Sequence, residues 1–120
     1  MSDIAQANVP ASTVTLLASA ARTTTAAGSA IPGFAAAAKL VMQLDVTVGS
    51  GTAPTLDVVV QDTVDGTNYN TIATFTQAVG VTREVIRLST PFTDSLRVSY
   101  TIAGVTPSFT FAVITWADSV

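Results

Sequence analysis

The sequence predicts an all-β protein, an antiparallel two-sheet β-sandwich of jelly-roll type with seven to eight short strands. Three observations carry this. Apolar residues recur with a period of two in several runs, those runs are rich in Val, Ile and Thr, and Gly, Pro or Asp-Gly separates them at short intervals. At 120 residues the chain is long enough for one domain with a real core. Residues 1–10 are small and polar, end in Val9-Pro10 and read as a flexible N-terminal arm, leaving 11–120 as a single sandwich domain.

Taken in order, Ser12 to Ala18 is β-branched and partly alternating, a first strand. Residues 20–34 mix Thr with Gly28, Pro32 and Gly33 and read as a short strand and a loop. Ala35 to Lys39 has helix propensity but runs straight into alternation, so tertiary context overrides it, leaving at most one helical turn. Leu40 to Val48 is the cleanest strand, with its even positions apolar. Gly49 to Pro54 breaks it, and Thr55 to Phe75 follows as a hairpin through Asp65-Gly66, a pair suited to a turn that needs positive φ. Pairing around the 49–54 loop would set Leu44 opposite Val58 and Val46 opposite Leu56. Arg83 to Leu88 is a short strand closed by Pro91. Leu96 to Ile102 and Ser108 to Trp116 form a second hairpin around 103–107, and no internal repeat of roughly 20–50 residues is visible.

Composition excludes several functions. Only 11% of residues are charged, so copies repel one another weakly, which suits packing into an assembly. Five basic against eight acidic residues leave no footprint for phosphate, and nucleic acid is not an expected partner. There is no Cys, hence no disulfide or thiolate site. The start has no basic region before an apolar run, and no stretch approaches the ~20 apolar residues of a membrane helix, so neither a secretory signal nor a membrane is expected.

No catalytic residue, cofactor or metal site is expected. His and Cys are both absent, which removes the commonest base and the best nucleophile, and the single Lys39 has no serine motif beside it. Asp45 and Asp57 would share an outer face of neighbouring strands, but solvated acids there need no catalytic explanation. Asp62 to Asn68 clusters oxygen ligands without calcium-loop spacing or a closing Glu, and reads as a structural turn. Tyr69, Tyr100 and Trp116 suggest a sugar-stacking platform, yet Tyr100 is in phase with the core residues Leu96 and Val98. Trp116 is out of phase with Phe109 and Phe111, which places it with Ile114 on an outward or interfacial surface. Arg83, Arg87 and Arg97 are expected to pair with acids such as Glu84 or Asp94, or to reach a partner.

The runs LDVVVQDTVDGTNY and SLRVSYTIAGVTPSFTF resemble the paired hairpins of small β-sandwich virion structural proteins of tailed bacteriophages. The likeness spans residues 38–116. It rests on Leu56, Val58, Val60, Gln61, Asp62, Asp65 and Gly66 in the first hairpin, with Thr63 and Tyr69 in place of the usual Ser and Trp. In the second it rests on Leu96, Arg97, Val98, Tyr100, Ile102, Gly104 and Pro107 to Phe111. The resemblance implies a non-enzymatic capsid decoration, or cement, protein on the virion surface, assembled in the bacterial cytoplasm. Its partner would be the major capsid protein, and its own state a homo-oligomer, a trimer foremost. Ile4, Val9, Pro10, Ile114 and Trp116 are the expected interface residues. A tail or baseplate component and a virion-surface glycan-binding module are the alternatives.

Overall fold

The computed structural model describes residues 11–89 and 91–118. Six strands appear in chain order: β1 (Ala11–Arg22), β2 (Ala26–Ala27), β3 (Lys39–Thr63), β4 (Tyr69–Thr74), β5 (Thr82–Ser89) and β6 (Ser95–Asp118). All pairings are antiparallel, and among the described residues there is no helix. The Ala35-Ala36 stretch is a turn in which the Ala37 N–H donates to the Phe34 carbonyl.

The strand count is the main correction to the sequence reading. Neither Gly49–Pro54 nor Ala103–Pro107 is a hairpin turn, and β3 and β6 each run through their breaker segment as strands of 25 and 24 residues. They pair with each other along their whole length, from Lys39 opposite Asp118 to Thr63 opposite Ser95. Leu44 therefore faces Val113 rather than Val58, and Val46 faces Phe111 rather than Leu56; the latter two lie opposite Tyr100 and Ile102. A straight strand of this length would run about 80 Å at ~3.3 Å per residue. The longest dimension of the molecule is 55 Å, so the ribbon bends.

The bend is made by two copies of one short motif, Gly51-Thr-Ala-Pro54 and Gly104-Val-Thr-Pro107. The first and third positions of both have positive φ: 117° and 49° at Gly51 and Ala53, 122° and 47° at Gly104 and Thr106. Each glycine makes room for the opposite motif. A Cβ on Gly51 would lie 2.8 Å from the Thr106 carbonyl oxygen, and one on Gly104 would lie 2.9 Å from that of Ala53. Bulges flanking the bend shift the register, so buried positions on β6 change from even (Leu96, Val98, Tyr100) to odd (Phe109, Phe111, Val113).

The bend divides the ribbon into two limbs. The first joins residues 39–50 to 108–118 and is bordered by β1 and β5; the second joins 55–63 to 95–103 and is bordered by β4 and β2. Exchanging β1 with β4, β2 with β5 and β3 with β6 reproduces the same pairing diagram. The fold is thus internally two-fold, with a repeat longer than the window in which solenoid repeats fall. Core residues correspond as well: Leu56, Val58 and Val60 match Phe109, Phe111 and Val113, all fully buried. Both limbs contribute to one hydrophobic cluster.

Candidate partner interface

Pairing across the first limb fixes which side chains share its outer face. Inward positions are Leu40, Met42, Leu44, Val46, Phe109, Phe111 and Val113, so their neighbours in sequence point out. One outward row runs Thr13, Trp116, Val41, Arg87 across β1, β6, β3 and β5. The next runs Thr15, Ile114, Gln43, Val85, and a third sets Ala112 beside Asp45 and Arg83. Trp116 and Ile114, chosen from parity alone, thus lie two residues apart on one strand and one face, with Trp116 40% exposed. Val41 lies directly beside Trp116, and Val85, 39% exposed, lies across Gln43 from Ile114, so the apolar surface is interrupted once by Gln43 and edged by Thr, Arg and Asp. An aromatic centre inside a polar rim is the usual anatomy of a protein contact.

The second limb supplies an internal comparison. Its pseudo-equivalents of Trp116, Ile114, Val41 and Gln43 are Thr63, Gln61, Ser95 and Arg97. There the Arg97 Nε–H donates to the Gln61 Oε1 at 2.9 Å, and the guanidinium lies 3.5 Å from the Tyr69 ring centre. The same backbone thus accepts polar residues at these positions, with Gln61 and Arg97 bonded to each other and Thr63 buried and bonded within the Asp65 turn, so pairing of this kind does not by itself demand apolar residues there.

The remaining candidates resolve into structural roles. Asp65 Oδ1 accepts from the backbone N–H groups of Asn68 and Thr67, both at 2.8 Å, and from the Thr63 hydroxyl; its Oδ2 accepts from the Asn68 side-chain amide. The Thr63 hydroxyl also accepts from the Gly66 N–H at 2.8 Å. These donors, the Asn68 N–H foremost, hold the Asp65 carboxyl well below the usual carboxylate range. Its lone pairs are directed into the turn rather than toward a cation. Among the described residues no three His, Cys, Asp or Glu side chains cluster as metal ligands would.

Asp45 and Asp57 do not lie on neighbouring strands. Both belong to β3, on different limbs, where Asp45 sits 4.0 Å from Arg83 and Asp57 accepts from the Gln77 amide. Glu84 and Asp94 do not pair with arginine: Glu84 accepts from the Thr76 N–H and Asp94 from that of Ala35. Tyr100 is in the core, edge-on to Phe111 with ring centres 5.2 Å apart, and Tyr69 is covered by Arg97. Those two rings offer no open stacking platform. Ile4, Val9 and Pro10 lie outside the described residues. Val41 and Val85 were missed in the sequence, although an apolar residue at an odd position of β3, among Gln43 and Asp45, marks the outer face.

No protein-family model matches the chain, and no curated protein matches it either. No helix among the described residues is long and apolar enough to cross a membrane.

Proposed function

We propose that this protein is a non-enzymatic virion structural protein, a capsid decoration protein that binds the outer surface of the major capsid lattice and stabilises it. The observation that carries the reading is the outward apolar face of Trp116, Ile114, Val41 and Val85, the first three of which have the polar counterparts Thr63, Gln61 and Ser95 on the other limb. The sparse charge of the chain and the likeness of its two strand motifs to phage virion proteins point the same way. In this reading the bent ribbon closes as a two-layer sandwich of jelly-roll type, a single domain over 11–120 that assembles as a homo-oligomer. Binding the assembled lattice in preference to unassembled subunits shifts the assembly equilibrium, and repetition over the lattice turns weak contacts into avidity. No active site is needed.

The test is co-sedimentation of the purified protein with mature capsids lacking it, beside a variant without residues 1–10. Saturable binding at a fixed ratio to capsid subunits, weakened by the truncation, is the expected result. No binding at any concentration refutes the decoration role and favours a tail or baseplate location.

A further inference from the structure

Every described carboxylate has a partner within the chain: Asp45 with Arg83, Asp57 with Gln77, Asp62 with the Thr93 N–H, Asp65 within its turn, Glu84 with Thr76, Asp94 with Ala35, and Asp118 is engaged too. The five basic side chains divide differently. Arg22 donates to the carbonyls of Ala18, Ala20 and Phe111, Arg83 contacts Asp45, and Arg97 is held by Gln61 and Tyr69. Among the described residues Lys39 and Arg87 have no hydrogen-bond, ion-pair or ring partner. Both are exposed, and both border the same groove as Trp116 and Val41, an open depression of about 460 Å³. Asp118 also borders it, so the groove carries two cations against one carboxylate on a chain whose net charge is −3.

We infer that this groove docks a partner protein surface of defined chemistry: an apolar patch that seats on Trp116 and Val41, flanked by carboxylates that meet Lys39 and Arg87. The inference deepens the decoration reading and rests on it, with the partner surface belonging to the capsid subunit. Among the described residues every carboxylate of a second copy already has a partner within its own chain, so an acidic partner surface meets these two cations more readily than another copy does. Among the described residues neither Lys39 nor Arg87 has a bonding partner, though Arg87 also places charge on the edge strand β5, and exposed cations beside an apolar centre act mainly on encounter rate and partner choice.

The experiment compares wild type, a Lys39→Gln/Arg87→Gln double variant, the Lys39→Glu/Arg87→Glu reversal and Arg97→Gln on the other limb. Each is titrated onto capsids lacking the protein, at low and at raised salt, after thermal melts confirm an unchanged fold. The neutral double variant is expected to bind about tenfold more weakly and to lose most of the salt dependence, the reversal to bind more weakly still, and Arg97→Gln to stay within about twofold of wild type. Wild-type affinity and salt dependence in the double variant would overturn the inference while leaving the decoration role standing. Absence of wild-type binding ends both. Should the variants instead alter self-association in sedimentation equilibrium, with capsid binding unchanged, the face joins copies of the chain and the inference falls.

Discussion

Asp65 shows how one side chain holds a loop without burial. Its carboxylate gathers the donors of Thr63, Thr67 and Asn68, which would otherwise compete for water, and so closes the five residues between β3 and β4. Because the folded carboxyl is held below its ordinary value, its contribution to stability is present in full above the unfolded-state pKa of about 3.9 and is lost as pH falls from there through the depressed folded value. In a carboxyl-detected NMR titration Asp65 should remain ionised well below the usual carboxylate range. Asp65→Ala should lower the melting temperature at neutral pH and remove part of the acid-induced loss of stability; an ordinary titration of Asp65 would contradict this. The Asp-Gly pair was legible in the sequence because turn chemistry is local. The roles of Asp57, Glu84 and Asp94 were not, since each bonds a residue whose position only the folded chain determines.

For the strands, local sequence located the breakers and misjudged their effect. Gly and Pro usually end strands, but alternating positive and ordinary φ in the Gly-x-x-Pro segments turns the chain by a corner and lets pairing continue. What makes this work is reciprocal: each motif packs against the backbone of the other, a relation invisible in either segment alone. Gly51→Ala and Gly104→Ala should each cost at least about 2 kcal/mol, combining the strain of a positive φ with a backbone clash. Gly80→Ala, with ordinary φ and open space around the new Cβ, should change stability by less than about 0.5 kcal/mol. Urea midpoints would separate these outcomes, and equal values at all three sites would remove the corner from the account. On the edge strand β5, Arg83 and Arg87 share the outward side, so two such edges aligned about their centre would set like charges opposite each other, which discourages edge-to-edge growth.

At the scale of the molecule, β3 and β6 serve both limbs and one cluster contains the core of both, so neither limb has an independent fold. Unfolding should therefore be a single cooperative transition, with the fluorescence of Trp116, the only tryptophan, coincident with far-UV circular dichroism. Two separated transitions would mean that the limbs fold independently. Long-range pairing of β1 with β6 also predicts refolding in milliseconds to seconds rather than microseconds. The two-fold architecture matters for function because it contains its own control: matched cores and matched corners, but outer faces that differ in polarity.

The sequence by itself determined the strand-rich class, the inward parity of nearly every core position, the Asp65 turn and the outward placement of Ile114 and Trp116. All of these follow from a period of two or from bonds within a few residues. The tertiary structure alone decided the continuity of β3 and β6, their pairing through the bend and the gathering of Trp116, Val41, Val85, Lys39 and Arg87 onto one face. Those depend on which distant strands lie side by side, and such pairing is set by burying one core shared by both limbs rather than by any single segment.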